Sequence, residues 1–173
     1  TPGKENLQTV ILQSHVDMVC EKNNDVEHDF LVDPIETEID GEWMKAKGTT
    51  LGADNGIGVA TELAILADDT IEHGPLECLF TVDEETGLTG AFALKEGFMN
   101  GDILLNLDSE DEGELFIGCA GGIDSVAQFT YKEADVPAGY FFFKVEVKGL
   151  KGGHSGGDIH LGRGNANKIL NRF

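Results

Sequence analysis

One histidine and a set of acidic residues fall where chemistry is easiest to build. Ser14-His15-Val16-Asp17 closes a short apolar run, Asp83-Glu84-Glu85 closes a second, and Asn106-Leu107-Asp108 a third. Ala53-Asp54-Asn55-Gly56 opens a segment of helical periodicity. If the three runs are strands of one open α/β sheet, their carboxyl ends share an edge, the usual ligand crevice of such folds. His15, Asp54, Glu84, Glu85 and Asp108 then converge. Carboxylates about 4 Å apart repel by about 4 kcal/mol at an effective dielectric of 20, so such a group must take up protons or hold a cation. One imidazole with several carboxylates suits Zn2+, with Mn2+ or Co2+ as substitutes, and a pair of ions would share a bridging carboxylate. On a strand His15 and Asp17 point the same way, which places the Asp17 carboxylate to accept the other imidazole N–H. At a strand end Glu84 and Glu85 can divide roles, one a ligand and the other a general base. Taken singly, each carboxylate reads as a solvated strand-end group, and Asp54 as a helix cap. Together on one edge they read as a metal centre.

The elements that must position these residues follow from periodicity. Residues 7–13 read as a buried strand, 42–46 as a short strand after the Asp40-Gly41 turn, 76–82 and 102–107 as further strands. Ile57, Ala60, Ala64 and Leu66 mark a helix from Asp54 to about Ala67, and a second helix is expected over 90–98. This alternation is the signature of a parallel α/β layer. After Gly113 the texture changes to β-rich runs at 114–119, 123–131 and 140–148, then a glycine-rich loop and a helical stripe of Ala166, Ile169, Leu170 and Phe173. A domain boundary is therefore expected near Gly118–Gly122. Residues 1–118 are expected to form an α/β domain that carries the candidate site, and 119–173 the start of an α+β domain. The stripe is still running at Phe173 and no initiator Met is present, so the chain reads as a segment of a longer protein.

Composition narrows the function classes. The 173 residues carry Lys+Arg 12 against Asp+Glu 32, a formal charge of −20. That balance argues against nucleic-acid partners and anionic membranes, since both need clustered Lys and Arg. No apolar run approaches the roughly 20 residues of a bilayer span. Cys20, Cys78 and Cys119 are too scattered for a disulfide framework or a paired-cysteine metal knuckle, which points to a reducing cytoplasm.

Two other motifs compete for attention. Asp108–Gly113 imitates the start of a calcium loop, but the pattern ends at Cys119 where Glu is required, and a strand precedes it. Gly153-His154-Ser155-Gly156-Gly157 matches the G-x-S-x-G elbow of serine hydrolases, which makes Ser155 the nucleophile of a rival class. No helix starts directly after it. A further alternative is a non-enzymatic acidic metal-binding or dimerisation module. His28 and His73 read as surface residues, nothing assigns His160, and Trp43 and Phe141–Phe143 read as packing.

The motifs together resemble the co-catalytic zinc aminopeptidase/carboxypeptidase superfamily, which includes aminoacylases, carboxypeptidase G and dipeptidases acting on histidine-containing peptides. The resemblance rests on Ser14–Val19, Gly48–Gly58, Asp83–Gly87, Leu107–Glu110 and Lys151–Gly157, and spans about Leu7 to Phe173. Asp40–Trp43, Gly118–Asp124 and Gly152–Gly164 are similar to the bacterial aminoacyl-histidine dipeptidases within it. The resemblance implies that His15 and Asp108 bind one metal and Glu85 the other, with Asp54 bridging. It implies that Asp17 supports His15, that Glu84 is the general base, and that His154, on a lid or dimerisation domain, stabilises the oxyanion. The implied activity is hydrolysis of dipeptides with C-terminal histidine, with tripeptidase, carboxypeptidase or deacylase chemistry as the alternatives. A small peptide substrate and a homodimer through the lid domain are the implied partners. Members are considerably longer and carry a last histidine ligand near their C-terminus that nothing here supplies. The segment alone is therefore expected to be inactive or nearly so.

Overall fold

Three of the apolar runs pair as parallel strands in a computed structural model, which describes every residue except Glu110, Ala120, Asp124 and Ser155. β1 (Val10–His15) lies between two partners. On one side it pairs in parallel with β4 (Leu76–Thr81), from Val10 opposite Leu76 to His15 opposite Thr81. On the other it pairs in parallel with β5 (Ile103–Asn106), from Val10 opposite Ile103 to Gln13 opposite Asn106. The order β4-β1-β5 puts all three carboxyl ends on one edge, as expected from the sequence. An antiparallel hairpin of β2 (Thr37–Asp40) and β3 (Trp43–Ala46) stands apart from this sheet. Gly41, at φ 66, makes its two-residue turn. β2 is not among the strands expected from the sequence.

α1 (Ala53–Ala67) packs on β1 with a face unlike the expected one. Its buried residues are Asn55, Gly58 and Glu62, whereas Ile57 and Leu66 are exposed. The contact is close because Gly58 lacks a side chain: a Cβ there would lie 2.9 Å from the Cβ of Ser14 and 2.0 Å from the Asn55 Oδ1. Glu62 is fully buried, and the Ser14 hydroxyl donates to its Oε1 at 2.6 Å. The buried apolar residues are Ile11, Leu12 and Leu79, while Ser14, His15, Asn55, Glu62 and Thr81 are buried polar ones. The helix expected over 90–98 is reduced to one turn, α3 (Thr89–Phe92), which follows another single turn, α2 (Glu84–Gly87). Leu88 between them has φ 59, a left-handed conformation that stops the first turn.

The chain divides into two compact units, Thr1–Glu114 and Leu115–Phe173. The described residues of the second contain no strand, so the β-rich runs expected at 114–119, 123–131 and 140–148 do not form. A strand needs a partner ladder, and among the described residues none of these runs pairs with another; Ile117, Ile123, Val126, Phe129 and Phe141 stand exposed instead. A short 3-10 turn, Ile159–Leu161, and α4 (Ala166–Leu170) are the regular elements there. The side chain of Asn165 caps α4 by accepting from the Lys168 N–H at 2.9 Å. Among the described residues no helix is long and apolar enough to cross a membrane.

Candidate metal centre

His15 ends β1 and is 1% exposed. Its Nδ1 lies 2.9 Å from the backbone carbonyl of Asp17. A carbonyl only accepts, so Nδ1 carries the proton and Nε2 presents its lone pair. That lone pair faces Asp54 Oδ1 at 3.1 Å and Asp108 Oδ1 at 3.5 Å. His15, Asp54 and Glu85 each offer a ligand atom within 4.8 Å of one another. Asp108 approaches His15 but lies outside that trio. Glu84, next to Glu85, is not in the trio either.

Asp17 does its work differently from the sequence expectation. Its carbonyl, not its carboxylate, takes the imidazole N–H; the nearest carboxylate oxygen is 3.5 Å from Nδ1. The carboxylate instead accepts the backbone N–H groups of Glu84 and Glu85, each at 3.1 Å. These are the first N–H groups of α2, which have no partner within the helix, and Asp83 at the N-cap gives them no side-chain bond. Asp17 thus caps α2 from the neighbouring strand. The reason lies in the register, which sets His15 opposite Thr81 and brings the residues after both strands together.

Asn55 had no role assigned from the sequence. Its side-chain amide donates to the Leu107 carbonyl at 2.8 Å and to Asp108 Oδ1 at 2.7 Å, tying the start of α1 to the end of β5. The Asp54–Asn55 peptide bond is cis, and both residues depart from helical angles. Asn55, Gly58 and Glu62 recur at helical spacing, and that polar stripe was the available signal for a buried face.

The electrostatics follow from crowding. Burial, and then the Asp54 carboxyl beside it, push Asp108 up to about 6. Burial, then the charges of Asp54 and Glu84, raise Glu85. Burial alone would lower His15, but in the protonated ring Nε2–H would donate to Asp54, and that bond with the charge of Asp108 outweighs burial and raises it. For Asp17 burial acts upward, yet the N–H groups of Glu85 and Glu84 hold its carboxyl below the usual range. A lone pair aimed at two carboxylate oxygens, among carboxyls that resist ionising together, is a donor set that fits a divalent cation.

His154 belongs to the second unit, where its Nδ1 accepts from the backbone N–H groups of Gly156 at 3.1 Å and Gly157 at 2.9 Å. Ser155, the nucleophile of the rival hydrolase class, lies outside the described residues.

A parallel α/β sheet that presents a histidine and carboxylates from its strand ends has an edge whose donor set fits a metal ion. The chain belongs to peptidase family M20/M25/M40, whose sequence model matches residues 11–155. It is 60% identical over its whole length to the cytosol non-specific dipeptidase of Escherichia coli, of which it covers 36%. It is 34% identical over 112 residues to the uncharacterized protein YqjE of Bacillus subtilis, covering 62% of this chain and 28% of that protein. The crystal structure of aminoacylhistidine dipeptidase from Vibrio alginolyticus superposes with a TM-score of 0.69 at 53% identity, over all of this chain and 35% of the other. The chain thus spans about a third of the length of these relatives.

Proposed function

We propose that the whole protein is a cytoplasmic dipeptidase that uses two divalent metal ions, with Zn2+ the preferred metal, and cleaves dipeptides with C-terminal histidine. The observation that carries this reading is the His15 Nε2 lone pair facing Asp54 and Asp108, with Glu85 alongside. His15 and Asp108 would hold one ion and Glu85 the other, with Asp54 shared by both. Bound there, the metals polarise the peptide carbonyl and make water more acidic. Glu84 is the general base: its carboxylate takes a proton from the attacking water and returns it to the leaving amine. Asp17 holds the N–H groups of Glu84 and Glu85, which keeps the base beside the ligand. His154 donates a hydrogen bond to the developing oxyanion, and the unit that carries it serves as a lid and dimerisation domain. The names of the relatives support a dipeptidase, and "non-specific" on one of them favours a broader substrate set than histidine alone.

The test is hydrolysis of alanyl-histidine and alanyl-leucine by the zinc-loaded whole protein, wild type beside Glu84→Gln. Wild type cleaves, and the variant loses at least about 10²-fold in kcat while keeping its zinc. Equal rates on the two dipeptides replace the histidine preference with general dipeptidase activity. No cleavage of either by a zinc-loaded wild type sinks the dipeptidase reading and turns attention to acylated amino acids.

A further inference from the structure

We propose that Asp158 and Arg163 are positioning residues that set the tautomer of the His154 ring. The inference rests on the reading that His154 supplies a hydrogen-bond donor. Nδ1 of His154 accepts two backbone N–H groups, from Gly156 and Gly157. A nitrogen that accepts carries no proton, so the neutral ring bears its proton on Nε2. Nε2–H is the form that can donate to a negative oxygen; the other tautomer would present a lone pair to it.

That arrangement requires the chain to curl tightly around the ring, and the curl has an identifiable fastening. The His154 N–H donates to Asp158 Oδ2 at 3.2 Å, and the Asp158 N–H donates back to the His154 carbonyl at 3.2 Å. Arg163 donates from Nη1 to the same Asp158 Oδ2 at 2.7 Å and to the Gly152 carbonyl. One guanidinium therefore ties the residues on both sides of His154. Gly153 sits inside this knot: a Cβ there would lie 2.0 Å from Arg163 Nη1 and 2.6 Å from Asp158 Oδ2. The ion pair is partly shielded, with side-chain exposures of 26% and 36%. Without the knot, water competes for the Gly156 and Gly157 N–H groups, and the proton can move to Nδ1.

Nitrogen-15 NMR of the histidine rings in the zinc-loaded whole protein reads the tautomer directly. Wild-type His154 is expected with its proton on Nε2. In Asp158→Ala and Arg163→Ala the two tautomers mix, and kcat on alanyl-histidine falls about 10-fold with KM within about 2-fold. Arg163→Lys keeps a charge but not the two-point grip, and restores the Nε2 form in part. A wild-type proton on Nδ1, or an unchanged Nε2–H signal in both alanine variants, overturns the proposal. His154→Ala separates the two readings. An unchanged kcat there removes the oxyanion role, while the NMR result alone decides the role of Asp158 and Arg163.

Discussion

The two units of the chain carry similar apolar segments and put them to different use. In Thr1–Glu114, β1 has a ladder on each side, and the backbone pairing sets where every strand end falls. In Leu115–Phe173 the segments around Phe116, Phe129 and Phe141 form no strand among the described residues, and their side chains are exposed. Alternating or continuous apolar residues supply a strand only where a partner completes the hydrogen bonds. Around Gly152 and Arg163 in the second unit, side chains bonded to backbone add order beside the 3-10 turn and α4. One unit positions its chemistry by register, the other by a local knot.

The largest effect is expected at the sheet edge. Asp54→Ala removes the residue proposed to be shared by the two ions. Bound zinc, measured by atomic absorption, should fall, and dipeptide turnover should drop by at least about 10³-fold, since several kcal/mol of charge stabilisation is lost. Full zinc occupancy in this variant would break the ligand assignment. A smaller effect concerns pH. Asp108, at about 6, holds a proton at pH 5 that a cation must displace, so zinc affinity should weaken as pH falls from 7 to 5, by up to about tenfold per unit. With chelator the sign reverses. A carboxyl raised from 3.8 to about 6 contributes stability at low pH, and that contribution is lost as pH rises through about 6. Thermal melting with and without zinc at pH 5 and pH 7 checks both, and an equal zinc shift at the two pH values would contradict them. The smallest contrast is between two glycines. Gly58→Ala pushes against Asn55 and Ser14 and should cost about 1–3 kcal/mol. Gly122→Ala meets nothing within 4 Å and should change stability by less than about 0.5 kcal/mol. Similar melting shifts for the two would erase the distinction between the units.

The sheet edge was legible because each strand-forming run stops beside a ligand type, and the parallel pairing needs only apolar strands alternating with helical segments. His15, Asp54 and Glu85 meet where that pattern puts them. The buried side of α1 was not legible. Ile57 and Leu66 follow helical spacing, yet a polar stripe of Asn55, Gly58 and Glu62 faces β1, because Ser14 and Asp108 offer it partners. Which residues a helix buries depends on what waits on the sheet, and no periodicity records that. The hairpin strand β2 was hidden for a related reason: Thr37-Glu38-Ile39-Asp40 is exposed throughout and earns its strand from β3 across the Gly41 turn. The second unit, whose described residues form no strand, shows the converse, a strong apolar signal with no ladder to join.

Asp17 makes two parts of the site mechanically inseparable. Its carbonyl orients the histidine at the end of one strand, and its carboxylate grips the turn that follows another, 67 positions along the chain. Energies of substitutions on the two sides therefore cannot simply add. In a double-mutant cycle, Asp17→Ala should change the penalty measured for Glu84→Gln, because the first substitution has already loosened what the second relies on. The proposed ion ligand and the proposed base thus share a single strut, so a shift in one is felt by the other.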